Sequence, residues 1–581
     1  MVNLNNYLKN IFDLFKNNEF DKALELCNQN TQKKIKHIVY NFKGAIYLKK
    51  KNLINAQENF LNSIKSNKDF IDPYKNLFVI YNNKKEFNNL LEIALKILEF
   101  DKKNPTYNFQ AGYALEKNGH LLKSLECYKE AHDLGFKDKK KIFNNLANVY
   151  FNLGKIDKSV ELYEKAYLEN TNDKILLNNL LGAYLEKRNI EKSEFYINKA
   201  KKLDSNYINF KYNKAKYLFL THKIDEAINL LEEIISTEND IPCICLLCKI
   251  YFRTNRLSYG NKLLIKKFLE YPNDPELLIF VGFRSLFDGD FDKGWKLYDH
   301  RHLILEKRFP SIPEWNGEDL SSKKILVYSE QGIGDAIQFS KYLINLNKVC
   351  KNIDFMLNKN LIGIFDTSNH DGLNLITKDN VDLNKYNFKI PLGSIIKFFY
   401  KDFNLITKNL IKVDIDEINS FKNEIDKNKL NIGIAWSGNF YGPKQPHRSI
   451  PLDKFKDVIS SDFNFYCLQN EIWESDQKTF NEINVINKGD LKLKPLIAFI
   501  HNLDLVISCD TSILHLAASL GKETWGVLSL DPDWRWGKFL EFYKYKNIKL
   551  YRQNKFNEWQ DVIKIIKKDL TKKITNINLK S

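Results

Sequence analysis

Residues 503–528, LDLVISCDTSILHLAASLGKETWGVL, decide how the second half of this chain folds. The apolar run 503–508 favours a buried strand, whereas 513–520 has helical character. Gly521 is placed to end that helix, because glycine readily adopts the left-handed conformation at a helix C-terminus. Residues 523–528 then resume an apolar strand. This strand–helix–strand order predicts an α/β domain with a parallel sheet.

The polar loop inside this stretch indicates a ligand-binding site. Asp510, Thr511 and Ser512 separate the first strand from the helix. Hydroxyls and unpaired backbone N–H groups at a helix N-terminus hold a phosphate well. His515 follows Thr511 by four residues and therefore shares its helix face, so it either contacts phosphate or sugar or is a satisfied buried histidine. The loop therefore predicts an anion site.

Composition narrows the class of protein. A chain of 581 residues that is 44% hydrophobic and 13% aromatic is globular and has more than one domain. No apolar run reaches membrane-spanning length and no secretory signal is visible, which predicts a cytoplasmic protein. Eight scattered cysteines are typical of a reducing compartment.

Neither the net charge nor the single cysteine cluster indicates a binding site for nucleic acid or metal. The net charge of +17 comes from lysines interspersed with acidic residues, so we expect no nucleic-acid interface. Peripheral contact with an anionic membrane stays open. Cys243, Cys245 and Cys248 have no fourth ligand at a regular spacing, and we expect small core residues rather than a metal site.

An internal repeat fills the first three hundred residues. A small residue recurs in steps of 33 to 35 residues, and Leu90 fills the one gap in the series. The members are Ala23, Ala56, Ser124, Ser159, Ser193, Ala227, Gly260 and Gly294. Small side chains let paired antiparallel helices cross closely, and the period resembles the tetratricopeptide repeat. We expect a superhelix of about nine units over residues 1–305. It either binds a protein or serves as a structural or dimerising spacer.

Beyond the repeats the pattern changes. Residues 306–322 are predicted to be a linker, and from Lys324 strands and helices alternate. We expect one α/β domain over 323–425 and a second over 426–581.

The first α/β domain opens with an apolar strand at 325–330, and a helix is expected from Ala336 onward. Between them Gly332 and Gly334 would let the backbone approach a ligand closely, although the third glycine of a dinucleotide fingerprint is missing. Asp335 is open to two interpretations. It is either a general base at the sheet edge, or the helix N-cap with Gln338 at N3 completing a capping box.

Polar groups follow three predicted strands of the second domain, where a ligand of an open α/β sheet lies. A basic loop is expected to place a lysine or an arginine at the same edge of the sheet. The residues concerned are Ser437, Gly438, Asn439, Gln469, the Asp510–Ser512 loop, and Lys444 and Arg448 in the basic loop.

An ordered set of short motifs carries a family resemblance. They are Glu330 to Asp335, Trp436 to Asn439, Arg448 to Leu452, Ser508 to Lys522, Pro532 to Trp536, and Arg552-Gln553. In this order they resemble bacterial repeat-containing glycosyltransferases related to glycosyltransferase family 9, the lipopolysaccharide heptosyltransferases. The resemblance implies a GT-B fold of two facing Rossmann-like domains, with the nucleotide sugar held mainly by the second.

The resemblance also implies roles for individual residues. Asp510, Thr511 and His515 match the donor-binding segment, Gly332 and Gly334 match the close-approach glycines, and Asp335 matches the proposed base. The phosphate-contacting cation is Lys444 or Arg448, and the choice stays open. Transfer would need no metal and no cofactor besides the nucleoside-diphosphate sugar.

The resulting hypothesis is a glycosyltransferase whose repeats hold a protein acceptor or a glycan or lipid-linked acceptor. The alternatives are a non-catalytic repeat scaffold with a degenerate GT-B domain and a nucleotide-sugar epimerase, which shares that fold.

Overall fold

A computed structural model describes residues 4–29, 33–204, 206–303, 308–401, 410–426, 428–440, 447–537 and 545–578. The chain divides into two compact units, Met1–Tyr217 and Leu218–Ser581. The boundary falls within one repeat helix, Ile208–Leu220.

Eighteen α-helices follow one another in the part of the first three hundred residues that the structure describes. They are α1 Leu4–Lys16, α2 Phe20–Asn28, α3 Lys36–Lys49, α4 Leu53–Ser66, α5 Asp72–Lys84, α6 Phe87–Phe100, α7 Pro105–Lys117, α8 Leu121–Asp133, α9 Lys139–Asn152, α10 Ile156–Glu169, α11 Lys174–Glu186, α12 Ile190–Leu203, α13 Ile208–Leu220, α14 Ile224–Thr237, α15 Ile241–Arg253, α16 Leu257–Glu270, α17 Pro275–Asp288 and α18 Phe291–Tyr298. Among the described residues no helix is both long and apolar enough to cross a membrane.

The predicted small positions lie where the paired helices cross. All of them are buried, and two of the three serines, Ser124 and Ser159, donate hydrogen bonds across the crossing, to the carbonyls of Gly112 at 2.7 Å and Ala147 at 3.0 Å. Gly282 leaves no room for a side chain, because a Cβ there would lie 2.9 Å from the backbone nitrogen of Tyr298. The helical repeat is confirmed, and close crossing is its physical cause.

In the described residues of the α/β region of the second unit there are ten strands and ten further helices. The strands are β1 Ile325–Tyr328, β2 Ile353–Met356, β3 Leu373–Ile376, β4 Phe388–Pro391, β5 Asn431–Ala435, β6 Asn464–Cys467, β7 Ile486–Asn487, β8 Leu505–Cys509, β9 Thr524–Leu528 and β10 Ile548–Arg552. The helices are α19 Ile333–Ser340, α20 Leu343–Val349, α21 Lys359–Ile362, α22 Ile396–Phe399, α23 Ile415–Phe421, α24 Leu452–Phe455, α25 Glu474–Glu482, α26 Leu493–Asn502, α27 Ser512–Ser519 and α28 Gln560–Asn578.

These strands form two parallel sheets. The order is β3-β2-β1-β4 in the first sheet and β10-β9-β8-β5-β6-β7 in the second. Helices connect several of these parallel strands, such as α19 and α20 between β1 and β2 and α27 between β8 and β9. The predicted fold class, an α-solenoid followed by an α/β region of two parallel-sheet domains, is confirmed, and it is consistent with a GT-B unit. The domain boundaries drawn from the sequence stay predictions.

Within the second unit, the last repeat shares a hydrophobic core with the first sheet. Trp295 and Tyr298 of α18 are both 2% exposed and belong to the same cluster as Val327 of β1. Trp315, in the segment predicted to be a linker, is also buried in this core, and its N–H bonds the carbonyl of Lys389 in β4 at 2.9 Å. This segment is therefore packed against the first sheet.

Candidate functional site

A cleft of about 1040 Å³ lies at the carboxyl ends of the two sheets. It brings together twelve of the thirteen residues that the sequence predicted for the site. They are Gly332, Gly334, Asp335, Ser437, Gly438, Asn439, Arg448, Gln469, Asp510, Thr511, Ser512 and His515. The thirteenth, Lys444, lies outside the described residues.

Two helices enter the cleft by their N-termini, one from each sheet. The start of α19 and the start of α27 both line it. Gly334 lets them approach closely, since a Cβ at this position would lie 3.1 Å from Cδ2 of His515 and 3.4 Å from Cα of Ser512. The close approach expected of Gly334 is thus an approach of helix to helix. Unpaired N–H groups of both helices give this part of the cleft a positive potential.

The N-cap interpretation of Asp335 is wrong. The helix begins at Ile333, three residues earlier than predicted, so Gly332 is the N-cap and Asp335 stands at N3. One carboxylate oxygen of Asp335 accepts the N–H of Gly332 at 3.0 Å. Gln338 is one turn further on and takes no part in capping. Gly332 has no side chain that could cap the helix. The carboxylate of Asp335 instead accepts the backbone N–H of Gly332, which is half of a capping box.

The strongest contact of Asp335 comes from a residue that the sequence interpretation left without a role. The guanidinium of Arg535, on the second-sheet side, donates to Asp335 Oδ1, to Gln338 Oε1 at 2.5 Å and to Asp533 Oδ1 at 2.8 Å. Arg535 is 8% exposed. Burial acts to lower the pKa of Arg535, but Asp533 and Asp335 hold that pKa above its usual value. The bonds to Asp335 and Gln338 join the two halves of the cleft, and the bond to Asp533 fixes the guanidinium on its own side.

The tryptophans on either side of Arg535 are packed inward. The ring of Trp534 meets the rings of Trp295 and Tyr298 edge-on, with centroids 5.3 and 5.6 Å apart. Trp536 stacks on His515 at 5.5 Å and donates its indole N–H to Asp510 Oδ1 at 2.9 Å. Asp510 is therefore held in place by a neutral donor.

The predicted anion loop has the expected form. Thr511 is the N-cap of α27 and makes no side-chain capping bond, so the first N–H groups of the helix are not capped by a side chain. The Thr511 hydroxyl lies 3.1 Å from Ser508 Oγ. Thr511 and Ser512 are both partly exposed to the cleft.

His515 is a buried histidine with partners, as one of its two interpretations requires, and contact with a ligand stays a prediction. Its ring is 6% exposed, stacks on Trp536 and lies 3.3 Å through Nδ1 from the Tyr545 hydroxyl, and it also lines the cleft. Burial lowers the pKa of His515 to about 4. The ring is therefore neutral at pH 7.

The side-chain amide of Gln469 holds the loop after β5 by hydrogen bonds. Its Oε1 accepts the backbone N–H groups of Trp436 and Ser437 at 2.9 and 3.0 Å, and its Nε2 donates to Ser437 Oγ at 2.8 Å. Both ends of the amide are thus used to fix this loop. Gly438 and Asn439 follow, and Asn439 is exposed at the rim of the cleft.

A second group that sequence reasoning missed lines the first-sheet side of the cleft. Arg301 donates to Glu330 and to Ser394 Oγ, both at 2.8 Å, and Gln331 donates to the Tyr298 hydroxyl at 2.6 Å. Only the proximity of Glu330 and Gln331 to the Gly332 loop could have indicated them. The last repeat thus supplies Tyr298 and Arg301 to the cleft wall.

The pKa of His515 gives a stability prediction. The unfolded chain binds a proton at this position below about pH 6.5, whereas the folded chain binds one only near pH 4, so acid favours unfolding. We expect His515 to remove up to about 3 kcal/mol of unfolding free energy as the pH falls from 6.5 to 4. Thermal melts of wild type and His515→Gln across this range should differ in slope, with wild type the steeper.

The matched control for that experiment is His370→Gln, on a partly exposed histidine outside the cleft, which should leave the slope unchanged. Equal slopes for wild type and His515→Gln would contradict the assignment of a neutral, buried ring.

Comparison with known proteins identifies two parts of the chain. Residues 466–540 match the model of glycosyltransferase family 9 (heptosyltransferase), and residues 141–173 match the tetratricopeptide repeat. The family 9 match includes the loop before α27 and the Trp534–Trp536 segment.

Curated relatives and solved structures resemble parts of the chain. The photosystem I assembly protein Ycf3 of Prochlorococcus marinus strain MIT 9301 is 36% identical over 109 residues, which is 18% of this chain. The match spans 62% of that relative's length. The Ycf3 protein of strain CCMP1986 is 32% identical over 108 residues, 18% of this chain and 62% of its own length.

Among solved structures, Pseudomonas aeruginosa pilF has a TM-score of 0.31 at 15% identity, covering 36% of this chain and 96% of its own. The Cut9–Hcn1 assembly has a TM-score of 0.33 at 18% identity, covering 43% and 49%. The two family matches show that this chain carries tetratricopeptide repeats and a glycosyltransferase family 9 domain.

Proposed function

We propose that the cleft transfers a sugar from a nucleoside-diphosphate sugar to a hydroxyl group of an acceptor. The observation that carries the proposal is the meeting of two helix N-termini in one cleft, with the carboxylate of Asp335 in the first turn of α19. The match to glycosyltransferase family 9 over residues 466–540 supports it, because that match contains the start of α27.

The start of α27 suits the diphosphate of the donor. The backbone N–H groups at its first turn, the hydroxyls of Thr511 and Ser512, and the guanidinium of Arg448 all line the cleft there. Anions are stabilised at helix N-termini by the unpaired N–H groups and the helix dipole. This positive surface would stabilise the leaving nucleoside diphosphate, so we propose that transfer needs no metal.

Asp335 suits the role of general base. The bond from the anomeric carbon to the diphosphate oxygen breaks, the acceptor oxygen bonds to that carbon, and the hydroxyl proton passes to Asp335. Gly332 and Arg535 hold the carboxylate in one orientation at the wall of the cleft.

The ion pair of Asp335 with Arg535 is the observation that favours the alternative. Both carboxylate oxygens of Asp335 are already bonded, one to the buried guanidinium of Arg535 and the other to the N–H of Gly332. A repeat scaffold that binds a nucleotide sugar without turnover would keep this arrangement for stability alone. Removal of the Asp335 charge distinguishes the two functions, as described below.

The acceptor is proposed to be a protein, or a glycan or lipid-linked sugar, held in part by the repeats. The tetratricopeptide match over residues 141–173 supports a binding surface in the first unit, and Tyr298 and Arg301 bring the last repeat to the cleft wall.

The donor site is tested by charge reversal at the helix N-cap. We expect at least one of ADP, GDP, UDP and CDP to raise the melting temperature of the wild-type chain. At a hundredfold excess over its dissociation constant a ligand stabilises by about 2.7 kcal/mol. Thr511→Glu places a negative charge at the proposed diphosphate site and should abolish the rise, whereas Thr511→Ser should retain it.

No rise with any of the four nucleotides, or an equal rise in Thr511→Glu, would contradict the proposed donor site.

The base is tested by Asp335→Asn, which keeps the size of the side chain and one of its two oxygen acceptors but removes the charge. We expect donor binding to be retained while nucleotide release from the matching donor sugar falls about 100- to 10,000-fold. Asp319→Asn, on an exposed carboxylate outside the cleft, is the control and should keep full activity. Unchanged turnover in Asp335→Asn, or a collapse of its donor affinity, would show that Asp335 has another role.

A further inference from the structure

A second cavity of about 260 Å³ adjoins the cleft. One of its walls is formed by the repeat helices α15 and α17, and the other by loops at the carboxyl ends of the second sheet. Phe283, Arg448 and Asp510 line both the cavity and the cleft, so the two spaces meet. A group bound in this cavity would therefore lie beside the proposed donor diphosphate while touching the last repeats.

Two arginines on the repeat wall differ in their partners. Arg284 is satisfied, because it donates to both carboxylate oxygens of Asp288 at 2.8 and 3.0 Å and lies over the rings of Phe252 and Phe287. Arg253, at the end of α15, makes no hydrogen bond and no ion pair with any residue in the described part of the chain. Its five N–H donors are available to a ligand.

The surroundings of Arg253 make this lack of partners costly. Burial lowers the pKa of Arg253, and the charge of Asp531 on the opposite wall offsets the effect in part. A partly desolvated guanidinium without a partner is stabilised strongly by a carboxylate or phosphate, which it binds through two parallel hydrogen bonds. On the repeat side of the cavity, the described residues therefore place no carboxylate in contact with Arg253.

Phe283 lies between this anion position and the cleft. Its side chain is 36% exposed and stands where the two spaces join. An exposed aromatic ring beside charged groups gives apolar contact to a ligand whose polar ends are fixed on either side. The volume of the cavity matches a single sugar ring or amino-acid side chain rather than a longer segment.

We propose that this cavity binds an anionic group of the acceptor, a carboxylate or a phosphate, with Arg253 as its bidentate partner. The inference rests on the proposed function and names the acceptor class: a hydroxyl compound whose negative charge lies about one sugar ring from the reacting oxygen. The acceptor is chosen over the donor because Arg253 belongs to a repeat helix, whereas the proposed diphosphate position belongs to α27.

The test uses the full chain saturated with the nucleoside diphosphate that stabilises it. Titration calorimetry compares glycerol 3-phosphate with glycerol, and methyl glucuronide with methyl glucoside. We expect an anionic probe to bind and its neutral counterpart to bind at least about tenfold more weakly. Whether the phosphate or the carboxylate binds identifies the source of the charge.

Substitutions test whether the anionic probe binds at Arg253. Arg253→Gln should weaken the anionic probe about tenfold or more and leave nucleotide affinity unchanged. Arg256→Gln is the matched control, because Arg256 lies one turn away, is ion-paired with Asp225 at 2.6 Å and does not line the cavity.

The proposal is overturned if no anionic probe binds, if neutral probes bind equally well, or if Arg253→Gln has no effect. It is also overturned if Arg253→Gln weakens the nucleotide as much as the probe, since Arg253 would then serve the donor. Failure of the wild-type chain to bind any nucleotide contradicts the proposed function itself, so the two failures are distinguishable.

Discussion

The buried guanidinium of Arg535 is the interaction on which the cleft depends. It bonds Asp335 and Gln338 from the first half of the α/β region and Asp533 from the second. A buried charge with three partners is stable only while the partners stay in place, and removing one typically costs about 3–5 kcal/mol. The bond network therefore fixes how the first sheet and the second sheet face each other.

The neighbours of Arg535 extend this constraint in both directions along the chain. Trp534 packs on Trp295 and Tyr298 of the last repeat, whereas Trp536 holds Asp510 and stacks on His515 of α27. Three consecutive side chains thus contact the last repeat, the carboxylate side of the cleft and the anion side. Gly334 completes the arrangement, because any side chain there would separate the two helix N-termini.

The parts that depend on local pattern could be predicted from the sequence. The repeat follows from small residues at the helix crossings, and the sheet edges follow from apolar runs that end in polar loops, as at Asp510. The start of α19 could not be predicted in this way, because Gly332 became the N-cap only by borrowing the carboxylate of Asp335. The role of Arg535 was equally hidden, since it is bonded to residues about 200 positions away. The short strand β7 was missed because its two residues are exposed and show no apolar alternation.

A double-mutant cycle between Asp335 and Arg535 tests the central claim most directly. The unfolding free energy of the second unit would be measured by urea titration for wild type, Asp335→Ala, Arg535→Met and the double variant. We expect the two substitutions to be coupled by about 1–3 kcal/mol, because each leaves the other's charge without its partner. Effects that add to within about 0.5 kcal/mol would show that the ion pair does not join the two halves of the cleft.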